Sequence, residues 1–153
     1  MARFVIVCEG TAPLLMHNAR LVDPLDSVVK QIRAVSSKTK KTDEDHAEIA
    51  HLEWLGGIYY QRRGTVHPRT EPAEMPGRGA RLSKDGKKIE RGVFIETMMI
   101  PVEYDGPRDL QNLYGDHRFV HRAPVKVGMA RVMRTRPLFT RWKLTATGMY
   151  DAP

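Results

Sequence analysis

Cysteine occurs once, at Cys8, so no disulfide can form within the chain, and its place in the apolar run RFVIVCEG predicts a buried thiol. No apolar run approaches the roughly 18 to 20 residues that a membrane span needs. The sequence does not open on a basic stretch followed by a long apolar core. A cytoplasmic location without a membrane partner is therefore expected. A GxSxG elbow, a glycine-rich loop ending in Lys-Ser/Thr and a strand followed by GxGxxG are all missing, and with them the usual signatures of acyl transfer, phosphate-loop hydrolysis and dinucleotide binding. Metal-ligand spacing is equally scarce. His46 and His51 are five residues apart, about 500° along a helix rather than on the single face that an i, i+4 zinc pair occupies. His17, His67, His117 and His121 are scattered through loops and strands. No cofactor or metal is expected, and the balance leans away from an enzyme.

Acid is missing from one long stretch. From His117 to Tyr150 there are eight Arg or Lys residues and no Asp or Glu, in a chain that has 18 acids elsewhere. A formal charge of +7 makes the surface field positive and favours polyanionic partners, of which nucleic acid is the commonest. The 153 residues, with 41% apolar and 28% charged side chains, suit one globular domain over residues 1–153 that buries roughly 68 to 70% of its unfolded surface.

Strand and helix patterns alternate along the chain. Arg3 to Val7 is β-branched and apolar on both faces apart from Arg3, which reads as a central strand ending at Glu9-Gly10. TAPLLMHNARLVDP, punctuated by prolines and Asn18, reads as a loop crossing the domain. A helix should start at Asp23-Pro24 or Asp26 and carry Val28, Val29, Ile32 and Val35 on one stripe. Thr42 with Asp45 resembles a capping box for a second helix from about Asp43 to Leu55, stopped by Gly56-Gly57. IYYQRR follows as a short strand. Residues 64–92 hold three prolines and several glycines and read as an irregular basic loop, a short helix, or both. GVFIETMMIPVEY predicts one long or two bent strands, YDGPRD a turn, and Asp109 the cap of a short helix through Leu113 and Tyr114. The remainder predicts two or three strands broken near Pro124 and Pro137. Together these elements make an α+β fold, with an antiparallel sheet of about five strands and two helices mainly on one face.

RVMRTRPLFTRWK, residues 131–143, is the densest basic-aromatic stretch. A strand period carried through it places Leu138, Trp142, Leu144 and Ala146 on one face and Phe139, Arg141 and Lys143 on the other. The second set combines a ring that can stack on a base with cations that neutralise phosphate. Arg131, Arg134 and Arg136 extend it. Alternatively Phe139 packs inward and the arginines decorate a solvated edge. Arg78, Arg81, Lys84, Lys87 and Lys88 form a second basic candidate, and Tyr59 and Tyr60 are weaker stacking candidates, one of which a strand would send to the core.

The order APLLMHNARLVDP, a Lys-rich helix, HLEWLGGIYY, YDGPRD and RVMRTRP resembles a family of uncharacterised proteins of tailed bacteriophages and prophages, which would place the chain in the host cytoplasm. More loosely, a first strand, a PLL-type loop, a helical insertion and a late basic hairpin are similar to the ferredoxin-like, RRM-like RNA-binding subunits of CRISPR effector complexes, the RAMP superfamily. The late glycine-rich loop of many such subunits has no counterpart here, which speaks against RNA processing. The expected function is non-enzymatic binding of single-stranded DNA or RNA, with homo-oligomers as a further expectation. Two alternatives stay open: a protein-interaction component that meets a host or phage protein, as a virion protein or an inhibitor of a host defence complex would, and a metal-dependent nuclease using Asp105, Asp109 or Asp116.

Overall fold

The computed structural model describes residues 1–61, 64–68, 84 and 86–151, by backbone alone at 66–68, 88 and 90. In chain order the strands are β1 (Ala2–Glu9), β2 (Leu14–Leu15), β3 (Tyr60–Gln61), β4 (Gly64–Pro68), β5 (Val93–Ile95), β6 (Met99–Glu103), β7 (Val120–Val127), β8 (Ala130–Phe139) and β9 (Lys143–Tyr150). The helices are α1 (Ser27–Ser36), α2 (Asp43–Gly57), α3 (Gly86–Gly92) and α4 (Leu110–Gly115), with 3-10 turns at Ala19–Val22 and His117–Phe119. The chain is an α+β protein, and the strand pairs among the described residues are all antiparallel. In place of one sheet of five strands, the described residues form two sheets: six strands in the order β1-β9-β6-β4-β3 with β5 also on β9, and three in the order β2-β8-β7.

Local chemistry sets the helix boundaries. Asp26 caps α1 by accepting from the Val28 N–H, and Val28, Val29 and Val35 are buried on the stripe expected from their spacing. Thr42 and Asp45 exchange both bonds of a capping box at the start of α2, and Asp43, Glu44 and Asp45 set negative charge against its N-terminal dipole. Asp109 caps α4 through the Asn112 N–H at 2.9 Å. At the far end of α2, a Cβ on Gly56 would stand 2.4 Å from Leu21 Cδ2, and one on Gly57 would stand 3.1 Å from Pro137 Cδ. The two glycines thus admit the first 3-10 turn and β8 against the helix. Asn18 ties the same corner: its N–H donates to Gly57 O and its side-chain amide to Ile58 O.

The main core gathers Met16, Trp54, Ile58, Val102, Tyr104, Leu113, Phe119 and Phe139. A second cluster lies on the inner face of the six-stranded sheet around Ile95, Ile100, Leu144 and Ala146, and Trp142 packs against both. Trp54 is fully buried and donates its indole N–H to Phe119 O at 2.9 Å, which satisfies the one polar group such a ring brings inside.

Several expectations from the sequence are corrected. β1 is not central; it stands at the end of its sheet, with Phe4, Ile6 and Cys8 half-buried inward and Arg3, Val5, Val7 and Glu9 exposed. Cys8 is accordingly half-buried, not enclosed. Pro124 and Pro137 do not break strands. The Thr135 N–H goes to Glu53 and Pro137 C=O accepts from Met16 N–H, so the odd-numbered residues of β8 turn their backbone groups away from β7. The register then points the backbone of Pro124 out of the sheet's open edge, where no N–H is required. Pro137 cannot donate back to Met16, and β2 ends there. Tyr59 and Tyr60 are both half-buried against the main core. Within 64–92 the described segments are β4, Lys84 and α3; Arg78 and Arg81 lie outside the described residues.

Candidate nucleic-acid interface

β7 and β8 form a hairpin closed by Gly128-Met129. Gly128 takes φ +60°, as the first central residue of a type II′ turn requires. The register opposes Val127 to Ala130, Lys126 to Arg131, Pro124 to Met133 and Arg122 to Thr135. Lys126, Arg131 and Arg122 therefore share one face, all exposed. Like charges set directly across a strand pair are destabilising. Neither Lys126 nor Arg131 belongs to any ion pair found among the described residues, so this repulsion goes unrelieved within the described part of the molecule.

The opposite face of the hairpin carries Arg134, Arg136, Val125 and Val127, and forms one wall of a cleft of about 420 Å³. Val29, Ile32 and Arg33 of α1, Leu21 and His17 of the preceding loop, and Glu53 of α2 complete its lining. The cleft is apolar in its aliphatic side chains and carries three guanidiniums against one carboxylate. Glu53 is only 5% exposed. One of its oxygens meets Arg134 Nη1 and the other accepts the Thr135 N–H at 2.9 Å. The carboxylate takes the place of a neighbouring strand's carbonyl where β2 has ended. His17 is exposed at the cleft's rim; partial desolvation there, followed by the nearby guanidiniums of Arg136 and Arg134, holds it below its ordinary value of 6.5, so the imidazole is neutral at neutral pH and offers the cleft a hydrogen-bonding group without charge.

The residues expected to form one basic surface are distributed. Arg134 and Arg136 meet at the cleft, and Arg131 lies on the other face of the same hairpin. Arg141 is exposed in the connection between β8 and β9. Lys143 projects from the outer face of the large sheet, directly between Glu9 of β1 and Glu103 of β6, a setting that already supplies it with opposite charge. Phe139 is 0% exposed; its ring packs edge-on to Tyr104 and tilted against Phe119, so it cannot stack on a base. The strand period does not run through 138–147 because Thr140, Arg141 and Trp142 carry the chain from one sheet to the other. Trp142 folds over Gly10 and donates to Ala12 O. Lys84 is exposed with φ +65°, Lys87 is exposed on α3, and Lys88 lies in α3 with its side chain undescribed.

Compared with protein-family models, curated proteins and solved structures, the chain matches none.

Of the carboxylates considered for a nuclease, Asp109 caps α4 and Asp116 caps the second 3-10 turn while pairing with Arg118 at 2.7 Å. The Arg118 guanidinium and N–H hold Asp116 below the usual carboxylate range, and the Asn112 N–H and amide do the same for Asp109. Among the described residues no three His, Cys, Asp or Glu side chains stand close enough to share a metal ion, and no helix is long and apolar enough to cross a membrane. Sequence reasoning missed Lys126 and Arg122 as partners of Arg131, and His17, Arg33 and Glu53 as cleft residues. The Gly128 turn between two β-branched stretches was the available signal for the first pair; tertiary contact alone assembles the cleft.

Proposed function

We propose that the protein binds single-stranded nucleic acid on its β7–β8 hairpin, without catalysis. Lys126, Arg131 and Arg122 neutralise phosphates on one face of the hairpin, and the strand passes around the open edge of β7 so that the cleft on the other face, beside Arg134 and Arg136, accepts an unpaired base against Val29, Ile32 and Val125. The observation that carries this reading is the Lys126–Arg131 pair: two cations held side by side, with no described carboxylate paired to either, form a site whose repulsion a phosphate would relieve. A cleft of about 420 Å³ with an aliphatic lining and a cationic wall suits a nucleotide better than a bare anion. It also favours single strands, since a paired base cannot enter it.

Fluorescence anisotropy with single-stranded and duplex oligonucleotides at two salt concentrations tests the proposal. The expected result is salt-sensitive binding that prefers the single strand. The double variant Lys126→Glu/Arg131→Glu should lower the slope of log K against log salt by about 1.4, roughly 0.7 for each phosphate left without its cation. Absence of salt-sensitive binding at low ionic strength would sink the reading. A second reading, contact with a protein partner, draws on the hairpin tip, where Met129 is 99% exposed and Val127 and Met133, on opposite faces of the hairpin, are exposed as well, side chains that adapt to a partner. It predicts that Met129→Ser, not the charge reversals, abolishes the activity.

A further inference from the structure

β1 has the sequence of a central strand and the position of an edge strand. It pairs with β9 along its full length, in constant register and without a bulge, and among the described residues no strand pairs with its other side. Gly10 donates to Trp142 O on the β9 side. Backbone groups alternate sides along a strand, so Phe4, Ile6 and Cys8 bond toward β9, while Arg3, Val5, Val7 and Glu9 turn their N–H and C=O groups to the open edge. Edge strands are ordinarily protected by brevity, proline, charged side chains, a bulge or a covering segment. This one is eight residues long, has no proline or bulge, carries charge only towards its two ends at Arg3 and Glu9, and among the described residues leaves Val5 62% and Val7 57% exposed.

We propose that β1 of a second copy of this chain covers the edge, antiparallel, joining the two large sheets into one across a two-fold axis at Ile6. Hydrogen bonding requires the outward-bonding residues of one strand to face those of the other, and of the registers this admits, those centred on Val5, Ile6 and Val7 overlap most of the strand. Centred on Val5, Arg3 faces Val7; centred on Val7, Arg3 faces Thr11. Centred on Ile6, Arg3 faces Glu9 and Val5 faces Val7, each twice by symmetry, and of the three registers this alone sets the Arg3 and Glu9 side chains opposite each other. The surrounding charges agree with it. Glu103, Lys143 and Glu9 form an alternating row across β6, β9 and β1 that stops on a carboxylate at the open edge, and Arg3 of the second copy continues the alternation. Arg3 is available for this: its side chain is 80% exposed and meets its own chain's Glu96 only at 3.7 Å. On the inner face the same register sets Ile6 against Ile6 and Phe4 against Cys8, extending the apolar cluster that these side chains flank.

The proposal rests on strand pairing and is independent of the nucleic-acid reading. Sedimentation of the full chain at tens of micromolar, with Arg3→Glu, Glu9→Arg and the double exchange, tests it. The wild type should be a dimer. Each single variant places like charges opposite each other at two symmetric positions and should weaken the dimer by about tenfold or more, and the double exchange should restore it. All of these side chains are exposed, so circular dichroism should report an unchanged fold. In a Cys8→Ser background, Ile6→Cys should form an intermolecular disulfide, because directly opposed residues of a pair that is not hydrogen-bonded stand about 4.5 Å apart at Cα. A monomeric wild type overturns the proposal, as does a dimer that the single variants leave unchanged or that the double exchange fails to restore.

Discussion

Glu53→Gln should make the protein less stable and a better ligand for nucleic acid. The buried carboxylate serves two donors, the Arg134 guanidinium and the Thr135 N–H. Glutamine keeps the shape and one carbonyl oxygen, so the Thr135 N–H retains an acceptor while Arg134 is deprived of its counter-charge. Hydrogen bonds to charged groups contribute about 1.5–3 kcal/mol against about 0.5–1.5 kcal/mol for neutral ones. The Arg134 side chain is 44% exposed, so water recovers part of the difference, and the expected cost is about 1 kcal/mol. For a chain of this length that lowers Tm by roughly 2–4 °C. Arg134, released toward the cleft, becomes free to neutralise a further phosphate, which steepens the salt dependence of single-strand binding by about 0.7. Urea unfolding reads the first effect, and anisotropy titrations between about 50 and 200 mM salt read the second. If binding weakens and the slope falls, Glu53 holds Arg134 in the posture that binds, and carboxylate and phosphate do not compete for it. If stability does not change, the carboxylate is not bridging α2 to β8.

Phe139→Leu should cost about 1–2 kcal/mol, because the ring no longer packs on Tyr104 and Phe119, and leave nucleic-acid binding unaltered wherever the variant is folded; loss of binding by folded protein in an anisotropy titration would mean the ring reaches a base. The depressed pKa of His17 gives a pH dependence of two signs. The folded state holds this proton less tightly than the unfolded state, whose value is near 6.5, so its contribution to stability is present above 6.5 and is lost as pH falls through the lower folded value. Anion binding runs the other way, since a protonated His17 adds charge to the cleft. Urea midpoints and anisotropy titrations on either side of that range should show both trends in the wild type and neither in His17→Ala.

Local chemistry was legible in the sequence, and neighbour relations were not. Asp26, Thr42 and Asp109 act within three residues of themselves, so the caps and helix starts they specify could be read directly. The alternation of β1 identifies two faces and says nothing about which strands flank it; Arg3, Val5 and Val7 are compatible with a central or an edge position until pairing is known. Pro124 and Pro137 looked like breaks because a missing N–H matters only if it points at a neighbour, and which way it points depends on register. RVMRTRPLFTRWK misled for a related reason. Its parity holds to Phe139, then Thr140 to Trp142 turn the chain into the other sheet, and the ring expected outside falls inside. The basic character of the site was evident, while its cleft joins His17 and Arg33 to Arg134 and Arg136 from segments roughly a hundred residues apart, a juxtaposition no local pattern encodes.

Among the described residues, three features run against local rules: the buried Glu53 carboxylate, a pair of like charges face to face, and a long apolar strand left at an edge. Where local rules and global fold disagree, function is the usual reason. The three differ in how they are compensated. Glu53 is balanced internally, by a guanidinium and a backbone N–H, and therefore fixes the position of α2 against β8. Lys126 with Arg131, and the open side of β1, find no compensation among the described residues. A cost that the described residues leave standing is one that binding can relieve. That is the ground of the two proposals: cations held face to face suit an anion with closely spaced charges, and a strand that places Arg3 and Glu9 symmetrically about Ile6 suits another strand with the same spacing, which a second copy would supply.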